Sequence, residues 1–587
     1  MRDHGVGQVS GSGSSSARSV VRRPRHGRRP VRIAALITAS ALAGGALSAC
    51  ASKNQVPSIG YAVDAVVSTY NGSSAVGGTS GVATIFGRVL PGFFYTGPDG
   101  QPVADTDFGT AKEVPGDVQT IQYRLNPEGS WSDGTPTTCD DLVLEWAARS
   151  GRFTGPAGQP LFDAASTLGY SDIERVECQP GSKDATVVFR PGRHYLNWRT
   201  LFGAGEIMPA HVAAQQAGVP NVVAAVQAAD PGVLGKLSQF WNIGWILQPG
   251  PVDAAKFPAS GPYRIESFSA TDGLVLVKND KWSGLAPRTP RIVVWPKNTD
   301  VVKAVADKAV EVVDIGAESV PGLKLDGFSV QQVAGRGAEQ LILATMTGVF
   351  DNAAARRALA GCLPRQSLFD QLGHPGFEAK TGLGSGMLNS RILQPDSVYY
   401  PAATGIADQY HNGDAAAAKA LSGETVRIGY RAPDDRRARA VKMIADACGQ
   451  AGVTVVDAGA PDFTPDRLVA GTADAMLGGP GGVPGPAGSQ TGGDAAAALR
   501  TGQGLNVGRY GNGRYDAITD QLAADDNSMN ILNLVTESEN LLWTEMPSIP
   551  LFSTPRTVAF GAGLENGIVN PTKAGAGWNM DRWVFRR

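Results

Sequence analysis

The chain has 587 residues, of which 42% are hydrophobic and 18% are charged, so it has enough apolar surface for several folded domains. Its 74 glycines and 38 prolines stay below the share of about 25–30% that marks low-complexity chains, which excludes collagen-like and disordered architectures. The 52 basic and 54 acidic residues nearly balance, but eight arginines lie before residue 33, so the rest of the chain is acidic. We expect no nucleic-acid partner, because neutralising phosphates requires clustered lysines and arginines.

The first 50 residues predict export and a lipid anchor. Residues 1–32 are rich in glycine, serine and arginine, and residues 33–47 form an uncharged apolar run that is typical of a signal-peptide core. A helix of about fifteen residues spans roughly 22 Å, less than the roughly 30 Å hydrocarbon layer, which disfavours a permanent membrane-spanning helix. The run ends in Leu47-Ser48-Ala49-Cys50, which resembles the lipobox of bacterial lipoproteins. We therefore expect a lipid on Cys50, a tether at residues 51–56, and a location at the outer face of the cell membrane, in the periplasmic space.

After the tether, the sequence pattern predicts a mixed α/β fold. Alternating or apolar runs predict strands at residues 59–67, 121–125, 185–189 and 453–456. Helical spacing predicts helices at residues 139–149, 352–362 and 436–451. Residues 478–493 are rich in glycine and proline and lack periodicity, so they are predicted to form a long loop.

Four further cysteines follow Cys50, and an even number in an exported protein predicts two disulfides. Three pairings are open, and proximity in sequence favours Cys139 with Cys178 and Cys362 with Cys448. Four free thiols are the alternative. We expect no metal or other cofactor, because the sequence has no C-x-x-C motif and its histidines lack ligand spacing.

Several short motifs occur in order along the chain. The most specific is Trp-Ser-Asp-Gly-Thr-Pro-Thr-Thr-Cys-Asp-Asp-Leu-Val at residues 131–143. The others are Ile-Met-Pro-Ala-His-Val at 207–212, Ser-Gly-Pro-Tyr-Arg-Ile at 260–265, Val-Lys-Asn-Asp-Lys-Trp-Ser-Gly at 277–284, Arg-Arg-Ala-Leu at 356–359 and Glu-Met-Pro-Ser-Ile-Pro-Leu at 545–551. Together they resemble family 5 of the extracellular solute-binding proteins, the peptide and nickel receptors of ABC importers.

The resemblance implies an α/β fold built as a bilobed, periplasmic-binding-protein-like clamp of type II, cluster C-like, with an extra inserted domain. Lobe I is expected at residues 57–93, 256–326 and 548–587, lobe II at 94–255 and lobe III at 327–547. Receptors of this family close around a ligand by a hinge motion. We expect a monomer that delivers its ligand to ABC permease subunits.

The same resemblance points to candidate ligand-binding residues. In peptide-binding members a Gly-Trp segment pairs with the backbone of the ligand, and a following aspartate holds its amino group. The corresponding stretch here begins at Gly478 and Gly479 and has neither side chain, so these two glycines are its candidate contacts. Tyr70 and Asn71 are expected to line the cleft, although Asn-Gly is also a common turn pair. Tyr510 is expected to stack on the ligand or to hydrogen-bond it.

Motifs typical of enzymes do not occur in the sequence, which has no G-x-S-x-G elbow, no P-loop and no H-E-x-x-H pair. We therefore expect no enzyme activity. The leading hypothesis is a lipid-anchored substrate-binding protein of an ABC importer that binds a peptide or peptide-like solute between two lobes. The alternative is a non-transport cell-envelope lipoprotein that uses the same fold as a regulator or carrier for glycolipid or lipid ligands.

Overall fold

The computed structural model describes residues 57–297, 299–374, 387–414, 416–479 and 492–586. The predicted signal peptide, Cys50, the predicted tether and residues 480–491 of the predicted loop lie outside this part of the chain. None of the helices in the described residues combines the length and the hydropathy that crossing a bilayer requires.

The described residues contain both strands and helices, as the sequence pattern predicts for a mixed α/β fold. In chain order the strands are β1 (Ser58–Val63), β2 (Phe94–Thr96), β3 (Pro102–Ala104), β4 (Gly109–Val114), β5 (Thr120–Leu125), β6 (Ile173–Cys178), β7 (Asp184–Phe189), β8 (Tyr263–Ser269), β9 (Gly273–Lys278), β10 (Arg291–Trp295), β11 (Val312–Gly316), β12 (Phe328–Leu343), β13 (Thr425–Gly429), β14 (Thr454–Asp457), β15 (Ala475–Gly478), β16 (Ser548–Gly561), β17 (Leu564–Glu565) and β18 (Val584–Phe585).

The helices range in length from 4 to 18 residues. They are α1 (Ala75–Ser80), α2 (Ala83–Phe86), α3 (Cys139–Arg149), α4 (Ala210–Ala217), α5 (Val222–Ala228), α6 (Pro231–Ile243), α7 (Val301–Ala306), α8 (Ala353–Cys362), α9 (Arg365–Leu368), α10 (Tyr400–Ala403), α11 (Asp435–Gly449), α12 (Asp466–Val469), α13 (Gly492–Ala497), α14 (Gly513–Leu522) and α15 (Ser528–Glu545). The predicted helix at residues 139–149 corresponds to α3, which begins with a capping box between Thr138 and Asp141.

The largest sheet has ten strands in the order β14-β13-β15-β12-β16-β11-β1-β10-β9-β8. Its neighbouring strands β12 and β16 are long and antiparallel. Residues 328–334 of β12 pair with residues 555–561, and residues 338–342 pair with residues 548–553. The pairing register shifts between Ala334 and Ala338. Strands β12 and β16 therefore connect the part of the sheet that contains β13–β15 to the part that contains β1 and β8–β11.

Two large apolar cores divide the described residues at this crossing. Buried side chains of one core come from residues 59–312 and 558–583, and those of the other come from residues 341–552. Burial of apolar surface stabilises each core by about 25 cal/mol per Å². We call residues 57–334 together with 554–586 half A, and residues 338–553 half B. The bounds of the three predicted lobes stay a prediction.

Each half contains one disulfide. In half A, Cys139 at the start of α3 is bonded to Cys178 at the end of β6. In half B, Cys362 at the end of α8 is bonded to Cys448 near the end of α11. These are the pairings that proximity in sequence favours. Each bond closes a loop within its own half, which lowers the conformational entropy of that segment when it unfolds.

Candidate functional site

A cavity of about 430 Å³ lies between half A and half B, and we call it the cleft. Half A lines it chiefly with the residues that follow β1, with α1 and with Asp163. Half B lines it chiefly with the residues that follow β13, with α12 and with the segment from Gly504 to Arg509. The volume lies within the range of about 300–1,000 Å³ that is typical of small-molecule sites, so the cleft has room for a compact ligand.

The half A wall of the cleft is built around α1. The Ser74 hydroxyl accepts a hydrogen bond from the Gly77 amide and caps this helix. The Ala75 amide donates to the Asp163 carbonyl at 2.8 Å, which fixes α1 to the segment that carries Asp163. Val76 of the same helix is 45% exposed and gives this wall an apolar surface.

The half B wall begins where β13 ends. The Tyr430 hydroxyl donates to an Asp457 carboxylate oxygen at 3.0 Å. The Arg431 guanidinium donates to the Phe463 carbonyl at 3.1 Å. The Phe463 ring lies against Gly429, where a Cβ atom would be 1.9 Å from a ring carbon, so only glycine fits there. These contacts hold an aromatic and cationic surface against the cleft.

The charged side chains of the cleft differ in how they are neutralised. Arg437 is buried and donates to Glu339 at 2.8 Å, so its charge is compensated within the protein. The side chains of Asp163, Asp466 and Arg509 form no ion pair or hydrogen bond with any residue in the described part of the chain. The cleft therefore offers uncompensated charges of both signs to a ligand.

The pKa values of Asp163 and Arg431 are shifted. Burial raises the pKa of Asp163, while Arg509 opposes this shift and the Asp466 carboxylate adds to it. Burial lowers the pKa of Arg431. Asp163 belongs to half A and Asp466 to half B, so two like charges from opposite walls act on each other. A cationic group placed between them would relieve this repulsion.

Hydrogen bonds join the two halves beside the cleft, between residues 164–167 and residues 503–505, which we call the clasp. The Thr167 amide donates to Gln503 Oε1 at 2.6 Å, and Gln503 Nε2 donates to the Thr167 hydroxyl at 3.0 Å. The Gly504 and Leu505 amides donate to the carbonyls of residues 164 and 165 at 3.1 and 2.9 Å. The clasp closes the cleft on one side.

Next to the crossing strands, half B contains a buried ionic network that also contacts half A, and we call it the hinge network. Glu339 of β12 accepts hydrogen bonds from Arg436 and Arg437 of α11. The Arg436 guanidinium also donates to the Ala317 carbonyl of half A at 3.3 Å. Burial raises the pKa of Glu339, but the two arginines outweigh burial and lower it to about 2. Glu339 is therefore ionised in the folded protein.

The structure places Tyr70 and Asn71, the first two predicted ligand contacts, inside half A. Both side chains are fully buried. The Tyr70 hydroxyl donates to the Pro258 carbonyl at 2.9 Å, and its ring contacts Phe86 edge to face. The Asn71 side-chain amide donates to the Trp241 carbonyl at 3.0 Å. Their hydrogen-bond partners are protein groups, so both side chains pack within half A, and their expected contact with a ligand stays a prediction.

The other predicted contacts lie next to the cleft without facing it. Gly478 is buried and paired with Gln340 at the end of β15, and Gly479 is buried after it. Tyr510 is 4% exposed and packs in a small apolar cluster with Tyr515. In the described part of the chain, the cleft is lined by their neighbours, among them Leu477 and Arg509.

Sequence reasoning missed the charged residues of the cleft. Arg509 carried a signal, because it directly precedes the predicted Tyr510. The backbone φ of Arg509 is 57°, in the left-handed region that residues other than glycine rarely adopt. Asp163, Arg431 and Asp466 are far apart in sequence and belong to no motif, so only the fold brings them together.

The described residues contain one group with the composition of a metal site, formed by Cys139, Asp140 and Cys178. Its two sulfur atoms are joined in a disulfide, so neither is available as a thiolate ligand. An Asp140 carboxylate oxygen accepts hydrogen bonds from the Gly181 amide and the Thr138 hydroxyl. The group therefore stabilises the start of α3.

Comparison with known proteins agrees with this architecture. The family model of the bacterial extracellular solute-binding proteins, family 5 middle region, matches residues 107–493. An uncharacterized lipoprotein of Mycobacterium tuberculosis is 39% identical over 572 residues, which cover 95% of this chain and 99% of the relative. The oligopeptide-binding protein OppA of the same species is 24% identical over 516 residues, which cover 84% of this chain and 78% of the relative.

Solved structures of periplasmic binding proteins have the same fold. The periplasmic EDTA-binding protein EppA superimposes with a TM-score of 0.71 at 20% sequence identity, over 91% of this chain and 97% of that one. This similarity confirms the predicted periplasmic-binding-protein-like α/β fold. The family model covers more than half of the residues, and the chain therefore belongs to family 5 of the bacterial extracellular solute-binding proteins.

Proposed function

We propose that this chain is the lipid-anchored substrate-binding protein of an ABC importer, and that it binds a peptide or peptide-like solute in the cleft. The observation that carries the proposal is the cleft itself. It lies between two halves with separate cores, and residues of both halves line it. A ligand that contacts both walls stabilises the closed arrangement, and its release accompanies separation of the halves.

The lining of the cleft supports a ligand with both charged and apolar parts. Asp163 and Asp466 suit a cationic group, whereas Arg509 and Arg431 suit an anionic group. Val76 contributes apolar surface between the charged positions. A short peptide has all three features, since it carries an amino group, a carboxylate and side chains.

The predicted lipid on Cys50 supports attachment at the membrane, where a permease would receive the ligand. The similar lipoprotein of Mycobacterium tuberculosis and the similar oligopeptide-binding protein OppA favour this assignment. Function then requires recognition and closure, with no bond chemistry in the cleft. We propose a monomeric receptor, because each half contributes its own wall to the same site.

Native mass spectrometry tests the proposal. We would purify the chain from Ala51 onward without lipid and record spectra under gentle conditions, looking for a bound mass and releasing it for identification. Val76→Trp fills the cleft, while Val456→Trp places the same ring on β14, outside the cleft lining. The two valines are matched, being 45% and 41% exposed. We expect heterogeneous short peptides on the wild type and on Val456→Trp, and none on Val76→Trp.

Other results would redirect the assignment. A bound lipid or glycan that Val76→Trp displaces would favour the alternative, a cell-envelope carrier that uses the same cleft. A bound mass that Val76→Trp retains would show that the ligand lies elsewhere. If no mass is bound and a peptide mixture produces no thermal shift, the peptide assignment is wrong, whereas the fold stands.

A further inference from the structure

We infer that Gln503 and Thr167 are positioning residues of the binding site, which hold half B against half A and so determine how tightly a ligand is retained. The inference rests on the proposed function, because it concerns the ligand of the same cleft. It goes further by naming the contacts that keep the cleft closed. Neither residue belongs to a motif in the sequence.

Gln503 uses both ends of its side-chain amide on one residue of the other half. Its Oε1 accepts from the Thr167 amide at 2.6 Å, and its Nε2 donates to the Thr167 hydroxyl at 3.0 Å. A donor and an acceptor that are both engaged fix the orientation of the amide group. Gln503 is 7% exposed, so water competes little for these two bonds.

Small residues around this pair let the two backbones approach. A Cβ atom on Gly504 would lie 2.5 Å from the carbonyl oxygen of Ala164, so the close approach depends on glycine. Leu505 lies in one apolar cluster with Ala165, which adds a dry contact between the halves. The clasp thus combines neutral hydrogen bonds with a small apolar contact.

Each segment of the clasp lies close in sequence to a charged residue of the cleft. Asp163 directly precedes the half A segment, and Arg509 follows the half B segment. A ligand that binds both charges holds the two segments together, and the joined segments in turn retain the ligand. Binding and closure are therefore linked through the clasp, and the coupling acts equally in both directions.

Two other contacts between the halves, away from the crossing strands, are weaker. The Arg193 guanidinium lies 3.8 Å from the Asp520 carboxylate, and both side chains are partly exposed. The Leu196 amide donates to the Ala523 carbonyl at 3.3 Å. Exposed ion pairs contribute about 0–1 kcal/mol, so the paired contact of Gln503 dominates this side of the cleft.

The first test uses the chain from Ala51 onward and the short-peptide fraction of a casein digest as the probe. We compare the digest concentration that gives half of the maximal thermal stabilisation. Losing both bonds in Gln503→Ala raises that concentration roughly tenfold, and losing the hydroxyl bond in Thr167→Val raises it roughly threefold. Thr167→Ser keeps the hydroxyl and restores wild-type behaviour. Gln450→Ala removes an exposed glutamine outside the cleft and has no effect.

The same experiment separates positioning from general stability. Without digest, all four variants keep a melting temperature close to that of the wild type, since the clasp joins two halves that have separate cores. An unchanged digest concentration for Gln503→Ala and Thr167→Val overturns the inference. A matching fall in melting temperature without digest overturns it too, because it assigns the effect to folding.

A second measurement does not depend on the ligand. The described cysteines are all held in disulfides, so Thr167→Cys with Gln503→Cys introduces the two reactive thiols of the purified chain. We expect a short bismaleimide to join them, and not to join Thr167→Cys with Gln450→Cys. If the first pair stays unlinked, there is no clasp. If it is linked and no digest binds, the clasp stands and the peptide assignment fails.

Discussion

The clasp and the hinge network both lie where half A meets half B, but they use different chemistry. The hinge network is buried and ionic, with Glu339 held by Arg436 and Arg437 next to the crossing strands. The clasp is made of neutral hydrogen bonds around Gln503 and Thr167. The hinge network lies beside strands β12 and β16, through which the chain passes between the halves. The clasp is a contact between two segments that are far apart in sequence.

The difference between these regions follows from what each must do. Breaking a buried ion pair exposes uncompensated charge, which costs several kcal/mol, so the hinge network holds β12 and α11 of half B together where the strands cross. Breaking a neutral hydrogen bond costs about 0.5–1.5 kcal/mol, because water replaces the lost partner. Opening at the clasp is therefore the cheaper motion. The two regions together make a molecule that opens on one side and stays assembled on the other.

The largest effect is expected from removing the charge of Glu339. Glu339→Gln leaves the buried Arg436 and Arg437 with less compensation, and we expect the free energy of unfolding to fall by about 3 kcal/mol or more. Denaturant unfolding of the purified chain measures this change. Glu318→Gln is the control, because Glu318 pairs with Arg439 at the surface, where a lost pair costs at most about 1 kcal/mol. Equal losses in the two variants would contradict the buried-charge account.

Acid should weaken the hinge network before the clasp. The ordinary glutamate pKa of 4.5 falls to about 2 for Glu339 in the folded protein. A lowered carboxyl pKa stabilises the fold above the ordinary value, and this stability, roughly 3 kcal/mol, is lost as the pH falls from about 4.5 towards 2. The raised pKa of Asp434, caused chiefly by its burial, offsets part of the loss. Unfolding measured across this range should be flatter for Glu339→Gln than for the wild type.

A change at Gly504 should affect binding far more than folding. Gly504→Ala places a methyl group 2.5 Å from the Ala164 carbonyl oxygen, so the segments of the clasp must separate. We expect the digest concentration for half-maximal thermal stabilisation to rise about tenfold or more, as loss of the two backbone hydrogen bonds predicts. Gly511→Ala is the control, because its nearest neighbour would be 3.6 Å away. A large drop in ligand-free stability for Gly504→Ala would instead place Gly504 in a core.

Local sequence signals predicted the elements of the fold well. The helix at residues 139–149 carried its capping residues and its periodicity within one short segment, and the structure has it with those bounds. The first strand was predicted to reach residue 67 but ends at Val63, because the side chain of Asp64 accepts hydrogen bonds from the Gly316 amide and the Ser319 hydroxyl. Gly316 and Ser319 are about 250 residues from Asp64, so the local sequence around Asp64 could not predict these hydrogen bonds.

The candidate site could not be predicted to the same extent. Tyr70 has the composition of a ligand contact, yet its neighbours in space turn it into a core residue. Asp474, which shortly precedes the predicted contacts Gly478 and Gly479, forms an ion pair with Arg427 at 2.7 Å. The cleft depends on how two separately folded halves meet, and Asp163 and Asp466 approach each other only after that assembly.

The smallest stability effect is expected at Asp163, where binding and folding should change in opposite directions. Because the pKa of Asp163 is raised, chiefly by burial, the folded protein disfavours its ionised carboxylate, so Asp163→Asn should stabilise the ligand-free chain slightly. The same change removes a negative charge that faces the ligand, so the casein digest should bind several times more weakly. Asp526→Asn, on the surface outside the cleft lining, should change neither quantity. Digest that has been N-acetylated should bind wild type and Asp163→Asn equally, because it lacks the amino group that Asp163 would hold. If the wild type binds both digests equally, the cleft does not recognise the amino group of the peptide. Closure by the clasp would then account for how tightly the peptide is held.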